Sequence, residues 1–416
     1  MVKSKIIWIL NHYATNTFLE HGGRHYCFAK YLMRAGYSVR IFCASTVHNS
    51  QYNFIEDKKV FIERLCDGIP YVFIRTRNYR SNGIKRVLNI LDFYKGLYEA
   101  TKRIREKPDI IIGSSVHPLT CVAAIKISRR YKIRNIIEIR DLWPESLVDY
   151  GLLTSYSLIA RLLYRLERWI YVSADDIVFT MEGGRDYIVD KKWDSSNGGP
   201  VELDKVHYIN NGVDLEVFRS NLEQNRITDP DLDNLSTFKV VYSGSIRKAN
   251  DLSRLIYAAH ILQKNTTNRM IFLIYGDGDK KEELQRLVRE MEITNVRFKG
   301  RVEKQYIPFI LSKCDLAYNE EGQLGLFNYG SSPNKLFDYL AAGLPILSIS
   351  SHKYKIENVF NCTVAAADDS SNSIAEAILE AYQSDLSEYR KNALFAASQF
   401  DYKYLTEQLI EIIERA

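Results

Sequence analysis

The 416-residue sequence contains no Cys-x-x-Cys pair, and its six cysteines (Cys27, Cys43, Cys66, Cys121, Cys314 and Cys362) are scattered far apart. That spacing excludes a thiolate zinc cage, and the density is too low for a disulfide scaffold, so a reducing cytoplasm is the expected setting. Long hydrophobic runs are also missing. The opening MVKSKIIWILNHY holds only the short apolar run Ile6 to Leu10, well under a signal-peptide core or a membrane-spanning helix. A soluble chain is expected. No short repeat, RRM aromatic signature or zinc-finger spacing occurs, which leaves only charge to support a nucleic-acid-binding reading.

What is present is apolar content and uneven charge. Hydrophobic residues make up 46% of the chain, enough for one or two well-cored domains and too much for disorder. Residues 1–190 carry 29 Lys+Arg against 19 Asp+Glu, whereas the remainder carries 27 against 32. A basic first half and an acidic second half point to two domains with different partners, the first facing an anionic surface or substrate. The basic character concentrates in residues 75–107, with ten Lys+Arg, three Asp+Glu, and Tyr79, Phe93, Tyr94 and Tyr98 interleaved. Such a segment reads either as a surface for an anionic membrane or as a solvated helix face with core aromatics.

Short apolar runs alternate with amphipathic stretches. KIIWIL, SVRIFC, YVFIRT, DIIIGSS, NIIEIRD and DDIVFT read as buried strands, and HYCFAKYLMRAG and LNILDFYKGLYEATKRIREK as helices between them. After the Ser/Asn/Gly-rich loop at Asp194 to Pro200 the pattern restarts with KVVYSGS, MIFLIYGDG, NVRFKG, DLAYN and LPILSIS. This predicts an α/β chain of two Rossmann-like, doubly wound parallel sheets facing across a cleft. The expected domains are residues 1–205 and 206–399, with a terminal helix over 400–416.

Ligands of open parallel sheets bind beyond the carboxyl ends of the strands, so the residues just after each strand carry most weight. After the first strand, Gly22 and Gly23 open a helix, either as a tight turn or as backbone that meets phosphate or sugar oxygens. His117 stands at a strand tip in SSVHP. Arg140, Asp141 and Glu145 crowd into EIRDLWPES, as an acceptor-binding lip or a self-satisfied knot of charges. In the second half, Gly244 precedes Arg247 and Lys248, cations suited to a diphosphate leaving group and equally at home in a solvated turn. Asp277 and Asp279 in YGDGD do not by spacing alone justify a metal site.

The stretch YGSSPNKLFDYLAAGLP, Tyr329 to Pro345, combines Ser332 as an expected N-cap with Pro333 at the first helical position. Free amides at such a helix start favour an anion. Asp338, about six residues on, lies roughly 9 Å along the axis, near the span from a nucleotide's distal phosphate to its ribose. Its carboxylate can accept both ribose hydroxyls, with Lys335 adding charge at the phosphate end. The alternative is an ordinary helix with a Lys335–Asp338 ion pair.

SPNKLFDYLAAGLPIL, IRDLWPESL, GGRHYCFAKYLMRAGYSV, INNGVD, YSGSI, YGDGD and NVRFKGRV, taken together and in order, resemble the family-4 retaining glycosyltransferases of the GT-B fold. The likeness is greatest to the branch that builds bacterial capsules and O-antigens. The resemblance implies a nucleotide-sugar donor, usually UDP-linked, bound mainly by the second domain, with no metal ion or other cofactor required. It also implies polyprenyl-diphosphate-linked or glycan acceptors and a cytoplasmic, peripheral position on the inner membrane face. Gly22, Gly23 and His117 fall on the family's first-domain glycine loop and active-site histidine. Gly244, Ser331, Ser332, Asn334, Lys335 and Asp338 complete the implied donor set, with Asp338 in the second acidic position of the E-x7-E pattern. The first acidic position falls on Gly330, with Glu320 or Glu321 as stand-ins. The family's phosphate-clamping Arg and Lys fall on Ser245 and Asn250, leaving Arg247 and Lys248 as replacements. A UDP-sugar 2-epimerase shares the same fold and is the rival reading.

Overall fold

The computed structural model describes residues 4–415 except 49, 81–82, 266–268, 320–324 and 350–351. Glu320 and Glu321 therefore lie outside the described residues. The chain divides into two units, Met1–Asn210 with Tyr402–Ala416, and Asn211–Asp401.

In the first unit β1 (Ile6–Leu10), β2 (Ser38–Ala44), β3 (Phe61–Cys66), β4 (Ile69–Ile74), β5 (Ile110–Ser114), β6 (Arg134–Ile139), β7 (Asp176–Phe179) and β8 (Val206–Tyr208) form one sheet. Their order is β3-β4-β2-β1-β5-β6-β7-β8, and every pairing is parallel except β3 with β4. Helices cover both faces of a parallel sheet, so its strands bury nearly everything: Ile7, Trp8, Ile9 and Leu10 are at most 1% exposed. The exception, β3, is an exposed edge hairpin whose turn residues Asp67 and Gly68 both take positive φ, the geometry that suits an Asp-Gly turn. The chain lays down β1, β2 and β4 in one direction and then returns to place β5 beside β1. The crevice beyond the strand tips thus opens between β1 and β5.

Two expectations shift. Because β8 pairs with β7 from Ile177↔Val206 onward, a boundary at 205/206 would strip a strand from the sheet; the units divide at 210/211. The returning helix is Tyr402–Glu414, which packs on helix Arg24–Arg34 through Phe28 and Tyr402, ring centroids 5.6 Å apart. For the basic stretch the structure favours the second of the two readings, core aromatics on a solvated helix. Tyr79 and Phe93 are buried, and Tyr94 and Tyr98 are half-buried with hydroxyls 3.2 Å apart, so helix Ile84–Arg103 turns these aromatics inward.

In the second unit β9 (Phe238–Ser243), β10 (Met270–Tyr275), β11 (Val296–Gly300), β12 (Leu316–Tyr318), β13 (Ile346–Ser348) and β14 (Thr363–Ala365) form a parallel sheet of order β11-β10-β9-β12-β13-β14. Here the reversal of order falls between β9 and β12. The loops after β9 and β10 touch backbone to backbone: Ile246 N–H donates to Asp277 C=O at 2.9 Å, and Lys280 N–H to Ile246 C=O at 3.2 Å. A Cβ on Gly276 would lie 1.8 Å from the Gly244 carbonyl oxygen, and one on Gly278 would lie 2.2 Å from that of Ile246. Close approach is why YGDGD holds glycines. Asp277 is occupied locally, accepting from Gly278 N–H at 2.9 Å and lying 3.5 Å from Lys281 Nζ.

Gly276→Ala, at φ +138° and in backbone contact, should cost the second unit about 2 kcal/mol or more, read as a lower denaturant midpoint with unchanged slope. A second prediction concerns Glu167, 3% exposed on helix Leu158–Ser173, which accepts from Tyr171 at 2.7 Å and Tyr187 at 2.9 Å. Burial pushes its pKa up to about 8, against the partial offset of the two phenols. The unfolded chain therefore releases this proton at lower pH than the folded one, and its contribution is lost as pH rises toward 8. Thermal scans should show Glu167→Gln gaining on the wild type as pH rises from about 5 to 8.

Candidate active site

In the first unit the β1–β5 crevice is lined by a buried polar chain. His12, two residues past β1, and His117, the N-cap of helix Pro118–Tyr131, meet at 2.7 Å between Nδ1 and Nε2. His12 Nε2 is 2.7 Å from Asn89 Oδ1, and Asn89 Nδ2 donates to Thr46 Oγ1 at 2.9 Å and to the Arg77 carbonyl at 2.6 Å. Burial disfavours the charged imidazolium at both histidines. It pushes His12 down to about 3, against the partial offset of Asn89, and holds His117 well below its ordinary value, with help from its neighbour His12. Both rings are neutral at physiological pH. His117 Nδ1 is buried and has no hydrogen-bond partner among the described residues.

Beside it lies a second buried cluster. Gly23, at φ +85°, caps helix Arg24–Arg34, and a side chain there would press on Thr17 at 3.2 Å. Gly22 closes the turn, donating to the Thr17 carbonyl at 3.3 Å. Arg24, immediately after, is 4% exposed and donates to Glu138 at 2.7 Å and to the carbonyls of Ile209 and Asn210. Glu138 also faces His25 at 3.1 Å and accepts from Ser114, which in turn takes a bond from Asn11. Burial alone would raise the Glu138 pKa, but the Arg24 guanidinium and His25 hold it well below the usual carboxylate range. The glycine pair therefore serves to set a buried ion pair at the strand tips.

The IRDLWPES turn separates its residues. Arg140 follows β6 half-buried, with its N–H on Ser115 Oγ at 2.9 Å, and Asp141 is exposed. Glu145 is drawn away: it accepts from Tyr164 at 2.7 Å and pairs with Lys191, so the self-satisfied knot describes it better than an acceptor lip.

In the second unit, helix Asn334–Ala341 starts one residue later than expected. Pro333 is the N-cap. The Ser332 hydroxyl and carbonyl accept from Asn211 N–H at 3.0 Å and Asn211 Nδ2 at 2.9 Å. Ser331 is half-buried, Asn334 is exposed at the first helical position, and buried Gly330 takes φ +93°. The helix docks against the end of β9. Tyr339 OH receives Ser243 N–H at 2.8 Å, and Lys335 Nζ lies 4.6 Å over the Tyr242 ring, its stem beside Gly244. Arg247 and Lys248 are exposed just beyond, without an ion-pair partner among the described residues. Asp338, five residues past the cap, is half-buried, and no ion pair or side-chain hydrogen bond engages its carboxylate among the described residues. Burial raises its pKa, against Lys304.

The sequence reading named His117, Arg247, Lys248, the glycines and Asp338, but not His12, Asn89, Arg24 or Glu138. Signals existed. His12 follows a strand directly, and Asn89 interrupts the apolar stripe completed by Phe93, Leu97 and Ala100.

Residues 26–217 match the family Glycosyltransferase Family 4, and residues 225–397 match Glycosyl transferases group 1. WbjE of Pseudomonas aeruginosa, named as a glycosyltransferase, is 27% identical over 63% of this chain and 62% of its own length. WcaI of Escherichia coli strain K12, named for colanic acid biosynthesis, is 23% identical over 62% of each. The chain thus spans about three fifths of the length of these relatives. Anabaena Alr3699/HepE, solved in complex with UDP and glucose, superposes with TM-score 0.64 over 98% of this chain and 99% of that one, at 14% identity. That likeness concerns the fold. With a Family 4 region followed by a group 1 region on two parallel-sheet units, the chain belongs to the GT-B glycosyltransferases.

Proposed function

We propose that this protein is a retaining glycosyltransferase that moves a sugar from a UDP-linked donor to a hydroxyl of a growing, lipid-linked surface polysaccharide. The single observation that carries the donor assignment is Asp338: a recessed carboxylate without a hydrogen-bond or ion-pair partner among the described residues, five residues past the N-cap of helix Asn334–Ala341. Two ribose hydroxyls satisfy such a carboxylate, and the positive end of the helix dipole favours the diphosphate. The UDP in the HepE complex supports the nucleotide class. A surface-polysaccharide acceptor draws support from WcaI.

In the reaction, the acceptor hydroxyl attacks the anomeric carbon on the face that the diphosphate is leaving. The bond from carbon to diphosphate oxygen breaks, the bond to acceptor oxygen forms, and the hydroxyl proton passes to the departing diphosphate. The protein's part is electrostatic: Arg247, Lys248 and the helix amides stabilise the growing negative charge, and no metal ion is required. His117 orients the donor sugar.

A lipid-linked acceptor requires a membrane surface, and the first unit has one suited to anionic lipid. Leu152, Tyr156, Leu158, Ile159 and Leu162 are 53–89% exposed, and Arg161, Arg165 and Arg168 are exposed along the same helix. Apolar contact with basic charge is the composition that holds a helix in an anionic interface. The cytoplasmic leaflet is the proposed location.

Titration calorimetry with UDP should show Asp338→Ala weakening binding about tenfold or more; unchanged affinity would overturn the ribose assignment. In flotation assays, vesicles with anionic lipid should carry the wild type, while the Leu158→Glu, Leu162→Glu double variant stays at the bottom. Product analysis with and without an acceptor separates transfer from epimerisation, which needs none.

A further inference from the structure

In the first unit, the end of helix Thr15–Glu20 and the turn of the β3–β4 hairpin bring three chemically different side chains together. His21 Nδ1 lies 2.7 Å from Asp67 Oδ2, and Cys66 Sγ lies 3.5 Å from that nitrogen and 3.8 Å from that oxygen. Backbone conformation makes this possible. Successive side chains of a strand point to opposite faces, but Asp67 leaves β3 at φ +50°, which returns its carboxylate to the side of Cys66. His21 closes its helix at φ +47° and meets them from a segment 45 residues away. The carboxylate is itself oriented, since Tyr26 OH donates to Oδ2 at 2.7 Å. Cys121, Cys314 and Cys362 turn their thiols to backbone carbonyls of the core, whereas Cys66 Sγ, besides the Phe18 carbonyl at 3.5 Å, faces an imidazole and a carboxylate.

We propose that His21 Nδ1, Cys66 Sγ and Asp67 Oδ2 form a structural site for a zinc-class divalent cation, with the fourth position taken by water. A zinc ion with Zn–S of about 2.3 Å and Zn–N and Zn–O of about 2.0–2.2 Å sets its tetrahedral ligands about 3.3–3.6 Å apart. The two sulfur contacts come close to that spacing already, and the nitrogen–oxygen contact, a hydrogen bond in the metal-free chain, widens by roughly 0.6 Å as the ion takes the place of its proton. The protons balance. The Cys66 thiol releases its proton to solvent, the neutral imidazole carries its own on Nε2, and thiolate and carboxylate together neutralise the two charges of the ion. A thiolate and an imidazole select zinc-class ions over magnesium and calcium, which take oxygen ligands. The side chains of His21 and Asp67 are 60% and 50% exposed, so the ion has a path in and water reaches the open position. Bound there, it ties the helix end to the hairpin turn and steadies the Gly22–Gly23 turn that follows His21 directly. None of the three ligands belongs to the donor set, and the site stands apart from the donor reading.

Cobalt(II) added to the reduced full chain reads the site with no variant needed. A thiolate-to-cobalt absorption band should grow in, saturate at about one ion per chain and disappear when zinc displaces the cobalt. Cobalt taken up without that band is adventitious surface binding and would overturn the site. The other five cysteines are buried, so the band should be absent from Cys66→Ser; a band that survives there would overturn the assignment. In competition with a chelating dye, Cys66→Ser and His21→Ala should each weaken zinc binding about thirtyfold or more, and Tyr26→Phe, which removes only an outer contact, about tenfold. Zinc affinity unchanged in Cys66→Ser would again overturn the proposal. Zinc should also raise the thermal midpoint of the wild type, while Cys66→Ser, with a chelator-treated midpoint close to that of the wild type, shows no such rise. A large excess of magnesium should leave the cobalt band in place, and its loss would overturn the zinc-class selectivity.

Discussion

Parallel strands cannot be joined by tight turns, and that constraint governs the whole chain. Each strand must be reached by a crossover, usually a helix, so all the carboxyl ends of a sheet emerge along one edge. Where the order of addition reverses, neighbouring loops diverge and leave an opening. In the first unit this opening lies between β1 and β5, and in the second between β9 and β12. Every residue that bears on function, from His12 and His117 to Gly244 and Asp338, lies in or against a segment that starts at one of these edges. The chemistry is where it is because the topology leaves nowhere else for converging polar groups.

Buried polar groups at such an edge must satisfy one another. Arg24, Glu138, His25, Ser114 and Asn11 do so in one cluster, while Asn89, His12 and His117 form a line that ends in one unfilled acceptor. An acceptor left open inside an otherwise satisfied network is the pattern of a site awaiting a ligand. Arg24 grips the carbonyls of Ile209 and Asn210, and Ser332 grips Asn211 from within the second unit.

Much of this is legible in the sequence. The buried strands of both sheets announce themselves as continuous apolar runs, and the helix after Pro333 by its small polar approach and apolar face. Three strands escape that reading for separate reasons. FIERLC alternates charged and apolar residues because it is an exposed edge, and only its Asp-Gly turn betrays it. Val206–Tyr208 and Thr363–Ala365 are three residues each, too short for any period to show. The cap at Pro333 was misplaced by one residue because Ser332 looks like a cap to its own helix, whereas a residue 121 positions away claims it. The buried relay is hidden for the same reason: its members are 28 to 105 residues apart, and nothing local marks them as neighbours.

The helix Tyr402–Glu414 closes the first unit although it is made only after the whole of the second. During synthesis, the opening half of the protein must wait at the ribosome with the apolar side of Arg24–Arg34 uncovered, through the emergence of nearly two hundred intervening residues. The first unit is thus assembled from two stretches separated by the whole of the second, and it is complete only once both have left the ribosome.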